Sequence, residues 1–335
     1  MQISVVIPTV DRKMRLLSLL TSLNRSIHPI HEVIIVDSGK DRLATDEYSA
    51  IKNFPIYYIS SERSVCIQRN TGIREAKSEW IFLCDDDIEI PADYLQKLSV
   101  HINNNPLTGA ISGVWLQKNG DTWIAGYPET SAKQLLWKYI FRLGIWGPIN
   151  CSANNFAIKK IKQYYQRKGN HITKAGWPVI TDLSSDHFFA PVYSLGGSLV
   201  KKEWLLNSPF DEGLDRHGIG ENYGVIAGFP GGGIHVLNNT CVYHQQETTN
   251  RLMQPLQYYR RVLALDYFIQ TKKTLKNTKR RLLLWSLIGN MISFVFSGNR
   301  SMMRAGFKSM WDVLWNKNPY PKAAKNNRKI IEPTL

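Results

Sequence analysis

Three consecutive carboxylates, Asp85, Asp86 and Asp87, follow a short apolar segment at residues 80–84. This segment has the length and the uniformly apolar composition of a strand that is buried on both faces. Ligands of open α/β sheets bind at the carboxyl ends of strands, which is where the acidic triplet would lie. Adjacent carboxylates repel one another, and hard divalent cations such as Mg²⁺ or Mn²⁺ bind carboxylate oxygens. The triplet therefore indicates a divalent metal site, with a solvated and inert acidic loop as the alternative.

The segments that must position the triplet alternate between strand-like and helix-like patterns. Expected strands are residues 3–7, 32–36, 56–59 and 80–84, and expected helices are residues 11–23, 41–53 and 64–77. Alternation of this kind is typical of right-handed βαβ units. It predicts an α/β fold with a mostly parallel sheet that is flanked by helices.

Two further acidic residues follow expected strands. Asp11 comes shortly after the first strand, where it can also cap the following helix, and Asp37 ends the second strand. Each of them alone is more often a cap or turn residue than a ligand. Because the carboxyl ends of parallel strands share one edge of a sheet, we expect Asp11, Asp37 and the triplet to lie close together.

Four segments of this chain, in this order, resemble family 2 glycosyltransferases with the GT-A fold: SVVIPTVDR, EVIIVDSG, RNTGIREAKSEWIFLCDDDIEIP and GGSLVKKEW. The resemblance implies a Rossmann-like catalytic domain over residues 1–250. Residues 1–120 would form its nucleotide-sugar-binding half and residues 121–250 its acceptor half. It also implies a nucleotide-sugar donor, Mg²⁺ or Mn²⁺ as cofactor, and a glycan or glycolipid acceptor.

The resemblance implies roles for individual side chains in the first half of the chain. Arg69 would approach the diphosphate, and a helix that starts near it would add backbone N–H donors. The triplet would be the family's DxD element, in which Asp87 binds the metal directly and Asp85 lies nearer the ribose and the metal-bound waters. The donor-binding residues expected on this basis are Pro8, Thr9, Asp11, Asp37, Arg69, Asp85 and Asp86.

The family's catalytic acidic pair is usually Glu-Asp, whereas this chain has Glu221-Asn222 at the corresponding place. An amide cannot take a proton from an acceptor hydroxyl, so Asn222 is excluded as the catalytic base. Glu221 is therefore the expected base, on a glycine-rich loop that would close over the substrate. Asp215 and Asp186 are the reserve candidates, and a Glu221 that caps a helix is the structural alternative.

His244 ends a strand-like segment near the end of the catalytic region. The resemblance implies that a histidine at this point completes the metal shell, so Asp85, Asp87 and His244 are the expected metal ligands. A hydrogen-bonded surface histidine is the alternative. His217 and His235 are weaker candidates for the same role.

The positive charge of the chain is concentrated at its C-terminal end. Of 42 basic and 27 acidic residues, residues 251–335 contain 17 and 3. We expect this tail to form basic amphipathic helices on an anionic membrane surface, with Arg260-Arg261 and Lys272-Lys273 exposed. Its apolar stretch at residues 282–296 is too short to span a bilayer. A helical cap packed on the catalytic domain is the alternative, and no nucleic-acid motif accompanies the charge.

The cysteines and the N-terminus predict the compartment. The four cysteines are scattered without CxxC spacing, which suggests neither a zinc site nor a disulfide framework. The first residues enter a strand-like segment without the pattern of a signal peptide. We therefore expect a cytoplasmic protein that is peripheral on the inner face of the cell membrane.

Two other functions are compatible with parts of the sequence. A nucleotidyltransferase on a similar fold would need a glycine-rich basic loop after the first strand, and residues 8–14 contain no glycine. An inactive, membrane-recruited sugar-binding module is the other alternative. Asn222 is the feature that favours it.

Overall fold

The computed structural model describes residues 1–152, 155–245 and 252–335 of the chain, so the predicted boundary at residues 250 and 251 lies outside the described residues. The strands are β1 (Ile3–Thr9), β2 (Glu32–Asp37), β3 (Ile56–Ser60), β4 (Trp80–Cys84), β5 (Ile88–Glu89), β6 (Ala110–Asn119), β7 (Thr122–Ala125), β8 (Ile145–Trp146), β9 (His171–Ile172), β10 (Pro178–Ile180), β11 (His187–Ala190), β12 (Gly197–Lys201) and β13 (Ile234–His244). The helices are α1 (Lys13–Asn24), α2 (Val65–Glu75), α3 (Tyr94–Asn104), α4 (Ala132–Ile140), α5 (Phe156–Lys168), α6 (Lys202–Asn207), α7 (Glu221–Ile226), α8 (Gln254–Thr271), α9 (Arg280–Phe296), α10 (Arg300–Leu314) and α11 (Pro319–Lys325).

The central sheet has the strand order β11-β13-β6-β12-β4-β1-β2-β3. The neighbours β3, β2, β1 and β4 are all parallel, which confirms the predicted α/β fold with a Rossmann-like sheet. β12 runs antiparallel between β4 and β6, and β13 pairs with β6 in parallel. A second, small sheet has the order β8-β10-β9. Because Thr9 and Asp37 are register partners at the ends of β1 and β2, the carboxyl edge of the parallel strands is one continuous rim.

Two apolar clusters cover the two faces of the sheet. Val6 points into the cluster that contains α2 and α8, whereas its neighbours Val5 and Ile7 point into the cluster that contains α1 and α3. β1 is completely buried, because helices cover both of its faces. The uniformly apolar strands that the sequence contains are thus the strands of a two-sided core.

Helix α2 packs unusually close to β1. A Cβ atom on Gly72 would lie 2.4 Å from Cγ1 of Val6, a distance that no real side chain allows. The helix begins at Ser64, whose hydroxyl accepts a hydrogen bond from the amide of Ile67. This close approach holds the first turns of α2, and with them Arg69, against the carboxyl rim.

Two local predictions are wrong. Residues 41–53 were expected to form a helix, but they contain one short 3₁₀ turn, Thr45–Tyr48, because the segment has no apolar stripe to bury. Asp11 does not cap α1, whose N-cap is Arg12 and has no side-chain cap. Instead, Asp11 Oδ1 accepts a hydrogen bond from the amide of Lys40 at 2.8 Å, which ties the loops after β1 and β2 together.

The first helix of the basic tail belongs to the core. Tyr259 and Phe268 of α8 are buried in the same cluster as β1 and β2. Arg260, which was predicted to be exposed, is 3% exposed, and its guanidinium lies 3.1 Å from Asp215 and 2.6 Å from Glu332. The prediction of an exposed Arg260 is wrong because this face of α8 packs against the loop that contains Asp215 and against the end of the chain that contains Glu332.

No helix in the described ranges combines the length and the apolar composition that crossing a bilayer requires.

Candidate active site

The acidic triplet opens into a cleft at the carboxyl rim of the parallel strands. Eight of the ten predicted site residues line it: Pro8, Thr9, Arg69, Asp85, Asp86, Asp87, Glu221 and His244. They come from segments that are far apart in sequence and meet because β1, β4, α2, α7 and β13 all end or begin at this rim. The cleft is therefore the candidate active site.

Asp86 is the buried member of the triplet. The Thr9 hydroxyl donates a hydrogen bond to its Oδ2 at 2.7 Å, and Arg12 Nη1 donates to its Oδ1 at 2.8 Å. Burial raises the pKa of Asp86 to about 6, although the charge of Arg12 opposes the shift. Both carboxylate oxygens thus have partners in the wall of the cleft.

Asp87 lies between a guanidinium and an imidazole. Its Oδ1 is 3.5 Å from Nε2 of His244, and its Oδ2 is 3.4 Å from Nη1 of Arg12. Burial pushes the pKa of Asp87 upwards, but the hydrogen bond and charge of His244 and the charge of Arg12 outweigh it, so the pKa is lowered. β5 places the pair together, because Ile88 is the register partner of His244.

The residues predicted to bind a metal have the chemistry that Mg²⁺ or Mn²⁺ needs. His244 packs edge-on against Trp115 at 5.0 Å, and its Nδ1 is buried without a hydrogen-bond partner. The other ring nitrogen, Nε2, faces the Asp87 carboxylate at 3.5 Å, and an oxygen donor beside a nitrogen donor suits a divalent ion with mixed ligands. The donor set therefore fits the predicted cofactor.

Arg69 bridges the two sides of the cleft. Its Nη2 lies 2.5 Å from Asp85 Oδ1, and its Nη1 lies 3.1 Å from Glu221 Oε1. The guanidinium also lies over the ring of Phe210, 5.0 Å from the ring centroid, and the residue is 3% exposed. Arg69 thus positions two carboxylates of the site, a role that the sequence did not indicate.

Gly196 lies in direct contact with Asp85 of the triplet. Its carbonyl accepts a hydrogen bond from the amide of Asp85 at 2.7 Å, and a Cβ atom on Gly196 would lie 2.0 Å from Oδ2 of Asp85. Only glycine leaves room for this carboxylate. The segment before β12 therefore fixes where Asp85 points.

Glu221 is the first residue of α7 and does not lie in an open loop. The turn before it is built on Gly218 and Gly220, with φ of +62° and +97°, and the Glu221 amide donates to the carbonyl of Gly218 at 2.8 Å. Burial raises the pKa of Glu221, although the charge of Arg69 opposes the shift. Asn222 follows with its Oδ1 buried and without a hydrogen-bond partner.

The structure does not bring every candidate into the cleft. Asp37 is 2% exposed and accepts hydrogen bonds from the amide of Gly39 and the hydroxyl of Tyr58. Asp11 lies beside it and joins two loops. The reserve bases are also absent from the lining: Asp215 is fully buried against Arg260, and Asp186 lies in a different cleft.

Six lining residues were not predicted: the arginines Arg12, Arg63 and Arg216, and the uncharged residues Val10, Val65 and Gln68. His217, a weaker candidate for the metal shell, also lines the cleft. Arg12 directly follows the SVVIPTVD segment, so its position after the first strand was a usable signal. Arg63 and Arg216 reach the cleft only through the tertiary fold, and they add positive charge to its lining.

Comparisons with known proteins match this chain to glycosyltransferases. Residues 4–165 match the family model described as Glycosyl transferase family 2. An uncharacterized glycosyltransferase of Haemophilus influenzae is 32% identical over 108 residues, which are 31% of this chain and 35% of that protein. The uncharacterized glycosyltransferase YwdF of Bacillus subtilis is 32% identical over 104 residues, 30% of this chain and 38% of that protein. The matches thus span little more than a third of each relative.

Solved structures share the fold over most of the chain. S. aureus TarS 1-349 in complex with UDP-GlcNAc superposes with a TM-score of 0.55 at 13% identity, covering 98% of this chain and 93% of that one. The mannosyltransferase PcManGT from Pyrobaculum calidifontis, in complex with GDP-Man and Mn²⁺, has a TM-score of 0.52 at 12% identity, covering 94% and 87%. At these identities the likeness concerns the fold. The chain thus has the fold of these glycosyltransferases, and its residues 4–165 are similar to family 2 glycosyltransferases.

Proposed function

We propose that this chain transfers a glycosyl group from a nucleoside diphosphate sugar to a hydroxyl group of a glycan or glycolipid acceptor. One observation carries the proposal: a single buried guanidinium, Arg69, joins Asp85 of the triplet to the buried carboxylate of Glu221. Asp85, which is expected to bind the donor, and Glu221, the candidate base, are thereby held in the same cleft. The complexes of TarS with UDP-GlcNAc and of PcManGT with GDP-Man support a donor of this class.

The cleft suits the diphosphate of such a donor. Arg12, Arg63 and Arg216 line it and offer positive charge to phosphate oxygens. Asp85, Asp87 and His244 would hold Mg²⁺ or Mn²⁺. When bound, the ion would neutralise the charge that develops on the leaving diphosphate.

Glu221 is the proposed base of an inverting displacement. The acceptor oxygen forms a bond to the anomeric carbon of the sugar, the bond from that carbon to the diphosphate breaks, and the hydroxyl proton moves to the Glu221 carboxylate. A carboxylate whose pKa is raised by burial is a better proton acceptor than a solvated one. Arg69 keeps the carboxylate oriented and opposes its protonation in the resting cleft.

A donor screen tests the proposal. A panel of nucleoside diphosphate sugars is incubated with the protein, Mn²⁺ and candidate acceptors, and the released nucleotide is measured. We expect turnover with one donor, and Glu221→Gln should abolish it while donor affinity is retained. Glu203→Gln, which removes an exposed carboxylate on α6, is the matched control and should behave as wild type. Unchanged turnover in Glu221→Gln would refute the assigned base.

A sugar-binding module without turnover is the second candidate. Asn222, an amide where the family usually has an acid, is the observation that favours it. The same screen separates the two functions, because a module would bind a donor and release no nucleotide.

We also propose that the tail docks this chain on an anionic membrane surface, where lipid-linked acceptors reside. One stripe of α10 is apolar and exposed: Phe307 is 55% exposed, Trp311 43%, Leu314 53% and Trp315 57%. The exposed Arg300 and Arg304 extend this stripe at helical spacing towards the start of the helix. Apolar and cationic residues on one exposed helix face are typical of interfacial binding.

Vesicle sedimentation tests the docking. We expect wild type to bind vesicles that contain phosphatidylglycerol better than pure phosphatidylcholine. The variant Phe307→Ser/Trp311→Ser should lose about tenfold or more in affinity, because each large side chain buries apolar area. Leu107→Ser, which alters a residue that is 98% exposed elsewhere, is the control and should bind as wild type. Equal binding of the α10 variant and wild type would refute membrane docking through this stripe.

A further inference from the structure

We propose that His101, His187 and His235 form a second metal site, for a transition ion of the zinc class, on the opposite side of the sheet from α2 and α8. Their candidate ligand nitrogens all lie within 4.8 Å of one another. None of the three lines the candidate active site. The sequence predicted no zinc site, since the histidines are 48 and more residues apart and no cysteine pair accompanies them.

Three different elements bring the histidines together. His101 is in the last turn of α3, His187 is the first residue of β11, and His235 is the second residue of β13. β11 and β13 are antiparallel, with Phe189 opposite His235 and His187 opposite Leu237. His235 lies two residues from Leu237 on the same strand, so its side chain points to the same face of the sheet as that of His187. Helix α3 covers that face.

The ring arrangement is close to that of a three-histidine site. The ring centroids of His101 and His187 are 4.7 Å apart, those of His187 and His235 are 5.5 Å apart, and those of His101 and His235 are 5.8 Å apart. Zinc binds imidazole nitrogens at about 2.0–2.1 Å in tetrahedral geometry, which separates them by about 3.4 Å. Rotation of the side chains that moves each ring nitrogen by about 1 Å would bring the three nitrogens to that separation.

The ring nitrogens lack other partners. Nε2 of His101 and Nδ1 of His235 are buried and have no hydrogen-bond partner. Burying an imidazole nitrogen without a partner is costly, and a metal ion removes that cost.

The ligand set selects the class of ion. Three imidazoles suit zinc, cobalt, nickel or copper, whereas Mg²⁺ and Mn²⁺ prefer the oxygen donors of the active-site triplet. A cleft lined by Asp186 and Asn239 adjoins His101 and His187 and leaves room for a fourth ligand or water. A metal there would tie the end of α3 to β11, the edge strand of the sheet.

Metal analysis of the untagged, full-length protein tests the site. The protein is stripped with a chelator and dialysed against limiting Zn²⁺ in excess Mg²⁺, which competes with zinc for the carboxylates of the triplet. Bound zinc is then measured, and Co²⁺ absorption reports the coordination geometry. We expect about one zinc per chain and a tetrahedral Co²⁺ spectrum.

Variants make the result decisive. His187→Ala and, separately, His101→Asn should weaken zinc binding by about tenfold or more, because each removes one of three ligands. His31→Gln, which removes an exposed histidine elsewhere, should bind zinc as wild type does. The proposal is overturned if wild type binds no zinc, or if both cluster variants bind it as tightly as His31→Gln. Neither readout uses enzyme activity, so the outcome is independent of the proposed glycosyl transfer.

Discussion

Removing the Arg69 guanidinium should destabilise the whole domain. Arg69→Gln leaves Glu221 and Asp85 without the cation that compensates their burial, since Arg69 is 3% exposed and the Glu221 side chain 14%. Breaking a buried ion pair by removing one partner costs about 3–5 kcal/mol. Because Asp85 is 28% exposed and keeps part of its hydration, we expect the lower end, about 3 kcal/mol in the free energy of unfolding.

The loss in the free energy of unfolding caused by Arg69→Gln should be larger at high pH than at low pH. Burial has already raised the pKa of Glu221 in the wild type, and loss of the Arg69 charge raises it further in the variant. The stabilisation by Arg69 requires an ionised Glu221. It is therefore complete above the pKa that Glu221 has in the variant and decreases as the pH falls below that value, by at most about 1.4 kcal/mol per pH unit.

Urea denaturation monitored by circular dichroism, between pH 8 and pH 5, measures this deficit. Arg74→Gln, on the same helix and 56% exposed at its side chain, is the matched control and should change stability by about 0.5 kcal/mol or less. The double variant Arg69→Gln/Glu221→Gln should recover part of the loss, because one unpaired carboxylate is gone. A deficit below about 1 kcal/mol, or one that does not change with pH, would refute the idea that a buried ion pair organises the cleft.

Three further predictions concern individual residues of the cleft and the tail. Gly196→Ala should lower turnover by about tenfold or more, because its Cβ would lie 2.0 Å from Asp85 Oδ2, whereas Gly231→Ala, with nothing within 4 Å, should be neutral in the same assay. His244→Ala should raise the Mn²⁺ concentration needed for half-maximal turnover by about tenfold or more with little change in melting temperature; an unchanged metal requirement would exclude it as a ligand. Arg260→Met should cost about 3–5 kcal/mol in the free energy of unfolding despite its place in the basic tail, and a loss as small as that of a surface substitution would contradict its burial.

Much of the structure of residues 1–120 was predictable from the sequence. The uniformly apolar runs of β1, β2 and β4 can only be strands buried on both faces, and strands of that kind alternate with helices in a parallel sheet. The carboxyl rim follows from that topology, so the acidic triplet could be placed before any coordinates. The helix prediction for residues 41–53 failed because a segment without an apolar stripe has no packing pattern that distinguishes a helix from a loop.

The contacts of the basic tail were not predictable in the same way. Its charge count suggested solvated or membrane-bound helices. Arg260 is nevertheless buried, because it forms ion pairs with Asp215 and Glu332. A cation is equally compatible with solvent and with a buried carboxylate. Only the fold decides which of the two it meets.

The sequence by itself determined the fold class and the resemblance to family 2 glycosyltransferases, because these depend on periodicity and on residues adjacent along the chain. Tertiary structure alone decided that Arg69 clamps Glu221 to Asp85, that Asp11 and Asp37 face other loops, and that three distant histidines converge. The physical reason is range: hydrophobic patterning acts between near neighbours in sequence, whereas ion pairs and ligand sets form between side chains that only the packing of several elements brings within a few ångströms.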